Sequence, residues 1–109
     1  MSNIYKAEVL VRDIPAGELI KTAEGYIFRY YESYLAGRDL PPVSLSLPRQ
    51  KEEFSSPQLF PFFFGMLPEG ENKAILCRTQ KIDPEDYLAI LLSSAYKESI
   101  GAVTVRSIS

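Results

Sequence analysis

The stretch AEVLVRDIPAGELIKTAEGYIFRYY, residues 7–31, decides the fold. Ala7, Val9 and Val11 alternate with Glu8 and Arg12, the period-two pattern of a half-buried strand. A turn at Asp13-Ile14-Pro15-Ala16-Gly17 follows, and Glu18 to Thr22 then reads as a second strand. A further turn at Ala23-Glu24-Gly25 leads into a third strand, Tyr26 to Tyr31. Short loops between alternating segments predict an antiparallel meander. Tyr26, Phe28 and Tyr30 share one face of the third strand, the spacing of core or cross-strand aromatic pairs.

Outward from the meander, Glu32 to Arg38 predicts a turn of helix ended by Gly37. Pro41-Pro42 enforces an extended chain into Val43-Ser44-Leu45-Ser46-Leu47-Pro48, whose strict alternation between prolines predicts an edge strand. Arg49 to Glu53 is a polar connector. Ser55 and Ser56 are candidate N-caps, with Pro57 suited to a first helical position, although Pro61 would then fall inside the helix and moves the regular start nearer Phe60. Glu71 to Gln80 predicts another short helix. Asp83-Pro84-Glu85-Asp86 reads as a helix start with Asp83 as cap, opening a helix from Tyr87 to about Tyr96. Gly101 breaks the chain into a last strand, Ala102 to Arg106. Strands, then helices, then one strand predict an α+β fold: a small, mostly antiparallel sheet with three or so short helices packed on one side.

With 46% apolar and 24% charged residues and a net charge of −2, the 109 residues suit one globular domain over 1–109. The twelve Lys and Arg are scattered singly among fourteen acids, so no electrostatic footprint for direct nucleic-acid contact is present. A lone Cys77 allows neither an internal disulfide nor a multi-cysteine metal site and reads as a small core residue. The N-terminus lacks the apolar core of a signal peptide, and no apolar run approaches bilayer length, which predicts a cytoplasmic protein without membrane contact.

Histidine is absent, which removes the commonest general base and metal ligand, and no metal or other cofactor is expected. Gly65 and Gly70 have the separation of a phosphate loop, but Glu71-Asn72 stands where Lys and Ser or Thr are required. No glycine-rich kinase loop, catalytic loop or D-F-G triplet occurs, so the chain is not a protein kinase by itself. Glu69 and Glu71 sit in a Pro/Gly turn where negative charge favours a helix start.

Residues 55–70, SSPQLFPFFFGMLPEG, hold four of the six phenylalanines within five positions. On a helix, Leu59 or Phe60 with Phe63, Met66 and Leu67 makes one stripe and leaves Phe62 and Phe64 on either side of it. Phe64 is the ring expected at the surface, and an exposed aromatic beside a structured turn marks a protein contact site.

Three segments in order, Pro42-Val43-Ser44-Leu45-Ser46-Leu47-Pro48, Phe62-Phe63 with Met66-Leu67-Pro68-Glu69-Gly70, and Ile100-Gly101-Ala102-Val103-Thr104-Val105, make the chain resemble the N-terminal domain of HipA-family serine/threonine kinases, toxins of bacterial toxin–antitoxin systems. The resemblance covers nearly the whole chain. It implies a domain that precedes a kinase core carrying ATP, Mg²⁺ and catalysis, a core absent here. The chain is then either a domain cut from a longer kinase or a stand-alone version, and the Met1 start and Ser109 stop favour the second, similar to HipS of the split HipB-HipS-HipT systems. By that resemblance the expected partner is a HipA- or HipT-like kinase core chain, with a HipB-like DNA-binding protein as a second candidate. The expected contact residues are Phe62, Phe64, Gly65, Pro68, Glu69 and Gly70. The family usually carries a polar residue where Phe64 stands and often Asn where Gly65 stands, which singles out Phe64. The expected role is regulatory or antitoxin-like, with a structural subunit that completes a kinase or repressor assembly as the alternative.

Overall fold

A computed structural model describes residues 6–94 and 102–108. In chain order they form β1 (Lys6–Val11), β2 (Ile14–Thr22), β3 (Gly25–Tyr30), α1 (Glu32–Ala36), β4 (Phe54–Ser56), α2 (Pro61–Phe64), α3 (Gly70–Gln80), α4 (Tyr87–Ser94) and β5 (Val103–Ser107). The strands make one sheet in the order β4-β3-β2-β1-β5, antiparallel at every junction. The α+β class and the helix-backed antiparallel sheet agree with the sequence reading.

Register explains the two faces. Val105, Val9, Gly17 and Tyr30 lie in one cross-strand row, and Ala7, Leu19, Phe28 and Phe54 in another on the same face. Tyr30 stacks on Tyr34 of α1 with centroids 5.9 Å apart, and Phe28 meets Phe63 of α2 at 5.8 Å. Leu88, Ile90 and Leu91 of α4 are fully buried in the same core. On the opposite face the row is Arg106, Glu8, Glu18, Arg29. Like charges face each other at Glu8 and Glu18, and each is offset by a flanking arginine, at 2.7 Å for Arg106 Nε to Glu8 and 2.9 Å for Arg29 to Glu18.

The second strand starts earlier than the Pro/Gly-rich segment 13–17 suggests. Arg12 and Asp13 alone make the turn, both at positive φ (52° and 66°), the backbone twist that suits a two-residue hairpin. Ile14–Gly17 joins β2 because a bulge absorbs the irregularity: Val9 pairs with Gly17 and Leu10 with Pro15, leaving Ala16 as the extra residue. Gly17 is required there, since a Cβ would stand 2.3 Å from the Arg29 carbonyl oxygen.

The expected edge strand at 43–48 is instead a tight turn. Leu47 N–H donates to the Ser44 carbonyl (3.0 Å), Ser46 N–H to Ser44 Oγ (3.1 Å), and only an isolated bridge joins Ser44 and Leu47. Serine side chains that capture nearby backbone N–H groups favour turns over ladders. Val43 and Leu47 point into the core, while Leu45 at the tip is 96% exposed. The edge position belongs to β4, within the stretch read as connector and caps, where Phe54 pairs with Phe28.

Ser55 and Ser56 therefore end a strand. The helix starts at Pro61 with Phe60 at the N-cap position and no side-chain cap, which removes the conflict over Pro61 because the first helical position needs no N–H. Asp83 holds a turn by accepting the Glu85 N–H (2.9 Å), and Asp86 caps α4, its Oδ1 accepting from Ala89 N–H (3.3 Å). Cys77 is buried, as expected of a core thiol. The predicted helix end near Tyr96 and the break at Gly101 lie outside the described residues.

Candidate functional site

The segment after β4 is built by its own hydrogen bonds. Phe64 N–H donates to the Phe60 carbonyl (3.0 Å) and Gly65 N–H to that of Pro61 (2.9 Å). Tighter i→i+3 bonds from Met66 to Phe63 (3.0 Å) and from Leu67 to Phe64 (3.1 Å) carry the chain on after α2. This winding turns Leu59, Phe60, Phe63, Met66 and Leu67 into the core. Phe62 is half-buried with its ring edge-on to Phe63, and Phe64 is left 51% exposed, on the side that the helical stripe predicts.

Phe64 is not isolated. Its ring meets Tyr87 at the start of α4 in a T-shaped contact, centroids 5.7 Å apart, and Lys73 of α3 lies 5.4 Å from the Tyr87 ring centroid. Between α2, the α4 start and β3 an open groove of about 700 Å³ is lined by Phe64, Gly65, Tyr87, Tyr26, Pro57 and Glu85, among others. The Tyr87 hydroxyl donates to Glu85 Oε2 (3.2 Å), and this hydrogen bond to a carboxylate is the main cause that holds the phenol above its ordinary pKa. Burial does the same for Tyr26, with Asp86 adding to it. Rings and prolines with one carboxylate at the rim bind apolar side chains by desolvation and cations by charge.

Of the six residues expected to form a contact, the structure brings Phe64 and Gly65 together in this groove. Gly70 lines a different hollow beside Lys73, Cys77 and Arg78. Pro68 is half-buried, and Glu69 is exposed in the N-cap position of α3. Tyr26, Pro57, Glu85 and Tyr87 were not anticipated as groove residues. Tyr26 and Tyr87 read locally as core positions of a strand and a helix, and only the fold joins segments so distant in sequence.

An antiparallel meander that carries its helices on one face, with an aromatic groove where the two layers meet, defines the chain as a small α+β sheet-and-helix domain. More narrowly, residues 7–106 match the HipA N-terminal domain family, and the chain belongs to it. A solved structure of the N-terminal domain of HipA toxin superposes with a TM-score of 0.72 at 27% identity, covering 100% of this chain and 97% of that one. An uncharacterised protein of Haemophilus influenzae is 33% identical over 90 residues, which span 83% of this chain and 80% of that protein. A protein of Sinorhizobium fredii that bears the name of a kinase is 33% identical over 76 residues, or 69% of this chain. The match spans only 18% of that kinase-named protein. No helix among the described residues is long and apolar enough to cross a membrane.

Proposed function

We propose that this chain is a non-catalytic, antitoxin-like regulatory subunit that binds a separate HipA-type serine/threonine kinase core and controls it. The observation that carries the reading is Phe64: a ring half exposed on a short, well-anchored helix, at a groove edge, in a domain of the HipA N-terminal family. An aromatic already packed edge-on against Tyr87 has less side-chain freedom to lose on binding, which makes it a suitable anchor for a partner. A small domain controls a kinase by binding one of its conformations better than another. A preference of about 3 kcal/mol shifts such an equilibrium roughly a hundredfold. Phe62, Pro68, Glu69 and Gly70 surround the anchor in sequence and belong to the proposed contact.

A second reading is favoured by the Sinorhizobium fredii relative, in which the matched stretch is a small part of a kinase-named chain. There the domain would complete a kinase assembly, alone or with a HipB-like DNA-binding protein, without inhibiting it. Co-expression with a HipA-type kinase core separates the two. The regulatory reading expects growth arrest by the core alone and rescue by this chain, together with loss of substrate phosphorylation in vitro. Persistent arrest with a stable complex would support the structural reading instead.

A further inference from the structure

The groove beside Phe64 continues past its own rim. A second hollow of about 260 Å³ shares Tyr26 and Pro57 with it and runs over the β2–β3 turn to the edge strand β4, where Ser55 and Ser56 line it. The two hollows meet at Tyr26 and Pro57, which line both, and together are treated as one trough. Glu85 lines one end and Glu24 the other. Among the described residues no lysine or arginine lines either hollow. Among the described residues neither carboxylate has a cation within ion-pair distance, whereas nearby Asp86 is met by Lys21 at 3.6 Å and Glu18 and Glu8 each face an arginine. The hollows thus carry aromatic and proline surface between two carboxylates, with the Lys73 ammonium over the Tyr87 ring beside the Glu85 end.

We infer that this trough takes an extended, cationic segment of the partner protein, with one basic side chain toward Glu85 and the exposed Phe64 ring, a second toward Glu24, and apolar residues over Tyr26 and Pro57. The inference rests on the docking role proposed for the Phe64 face. Charge complementarity selects the occupant: two exposed carboxylates outside any ion pair among the described residues repel an acidic segment and give a basic one both steering and register. Aromatic faces beside a carboxylate suit a guanidinium, which stacks on rings while it pairs. An extended conformation lets successive side chains reach the separate ends of an open trough next to an edge strand.

The test uses the full chain labelled with ¹⁵N and two capped octapeptides of alternating sequence, arginine-leucine and glutamate-leucine. The arginine peptide is expected to shift the amides of Glu24, Tyr26, Phe64, Glu85 and Tyr87, and the glutamate peptide to leave them in place. Combined Glu24→Gln and Glu85→Gln, both at exposed positions, is expected to weaken the arginine peptide by about fivefold and to flatten its salt dependence. Equal binding of both peptides, an unchanged affinity in the double variant, or concentration-dependent self-association through the same amides would overturn the inference. Capture of the kinase core separates this outcome from the docking reading. Loss of capture with Phe64→Asp but full, salt-insensitive capture by the double glutamine variant refutes the cationic segment alone, while full capture by Phe64→Asp refutes the docking reading itself.

Discussion

The Tyr30 hydroxyl donates to the carbonyl of Leu47 and, at the same time, accepts the Val43 N–H at 2.9 Å. One phenol on the buried face of β3 thereby satisfies both sides of the 43–47 turn, and Tyr34 adds a bond from its hydroxyl to the Pro41 carbonyl (2.6 Å). The segment has no sheet ladder to hold it, so these bonds replace one. Tyr30→Phe leaves a buried donor and a buried acceptor unmet and is expected to lower unfolding stability by about 2 kcal/mol, read from chemical denaturation. A loss as small as that of a surface variant would show that the turn is held by Val43 and Leu47 packing alone.

Arg49 plays a parallel part at the end of α1. Its guanidinium donates to the carbonyls of Leu40 (2.9 Å), Tyr34 (3.0 Å), Leu35 (2.7 Å) and Gly37 (2.7 Å), and it lies 5.7 Å from the Tyr34 ring centroid. The Tyr34, Leu35 and Gly37 carbonyls belong to the end of a short helix that has no left-handed glycine cap, and Leu40 lies just past it; a planar fork of donors reaches all four. Arg49→Met is expected to cost about 3 kcal/mol, and Arg49→Lys to recover little of it, because an ammonium cannot reach so many acceptors. Arg29→Met, at a solvated ion pair, provides the contrast and should cost about 0.5 kcal/mol.

The sheet meander, the core stripe of α2 and the outward side of Phe64 were legible in the sequence, because each rests on a local period of two or of 3.6. The 43–48 turn was not. Val43, Leu45 and Leu47 alternate as a strand would, and the facts that decide otherwise, the Tyr30 hydroxyl and the Arg49 fork, arrive from other elements. Asp83 with Pro84 carries the local signature of a helix cap, yet the chain uses Asp86 one turn later to cap α4. The groove was legible only by half. Phe64 and Gly65 come from one segment, but Tyr26, Glu85 and Tyr87 join them through tertiary packing that no periodicity encodes.

Adjacent rings in α2 are expected to behave in opposite ways. Phe63 is fully buried against Phe28, Phe60 and Phe62, so Phe63→Ala should cost about 4 kcal/mol in thermal or denaturant unfolding. Phe64→Ala removes a half-exposed ring and one edge contact with Tyr87, and its cost should stay below about 1 kcal/mol.

Alkaline pH should weaken the fold before any substitution does. Burial raises the phenols of Tyr26, Tyr30, Tyr31 and Tyr34 above their ordinary value of 10.0, and Glu8 adds to this at Tyr31 by accepting a hydrogen bond from its hydroxyl. The folded state thus holds protons that the unfolded chain releases. The stabilisation is fully present below pH 10.0 and is lost as pH rises through the folded-state values. Denaturation midpoints should be lower at pH 11 than at pH 9, with part of the tyrosinate absorbance at 295 nm appearing only on unfolding. Titration of every tyrosine together near pH 10 in the folded protein would contradict this.

The face around Phe64 is proposed to dock on a HipA-type kinase core. The most direct test of this docking is the affinity of the wild-type chain and of Phe64→Asp for that core, measured by calorimetry with both variants confirmed folded. Docking through this ring entails a weakening of at least about a hundredfold, since an anchor buried in the complex is replaced by a desolvated charge. Equal affinity of the two proteins would contradict it.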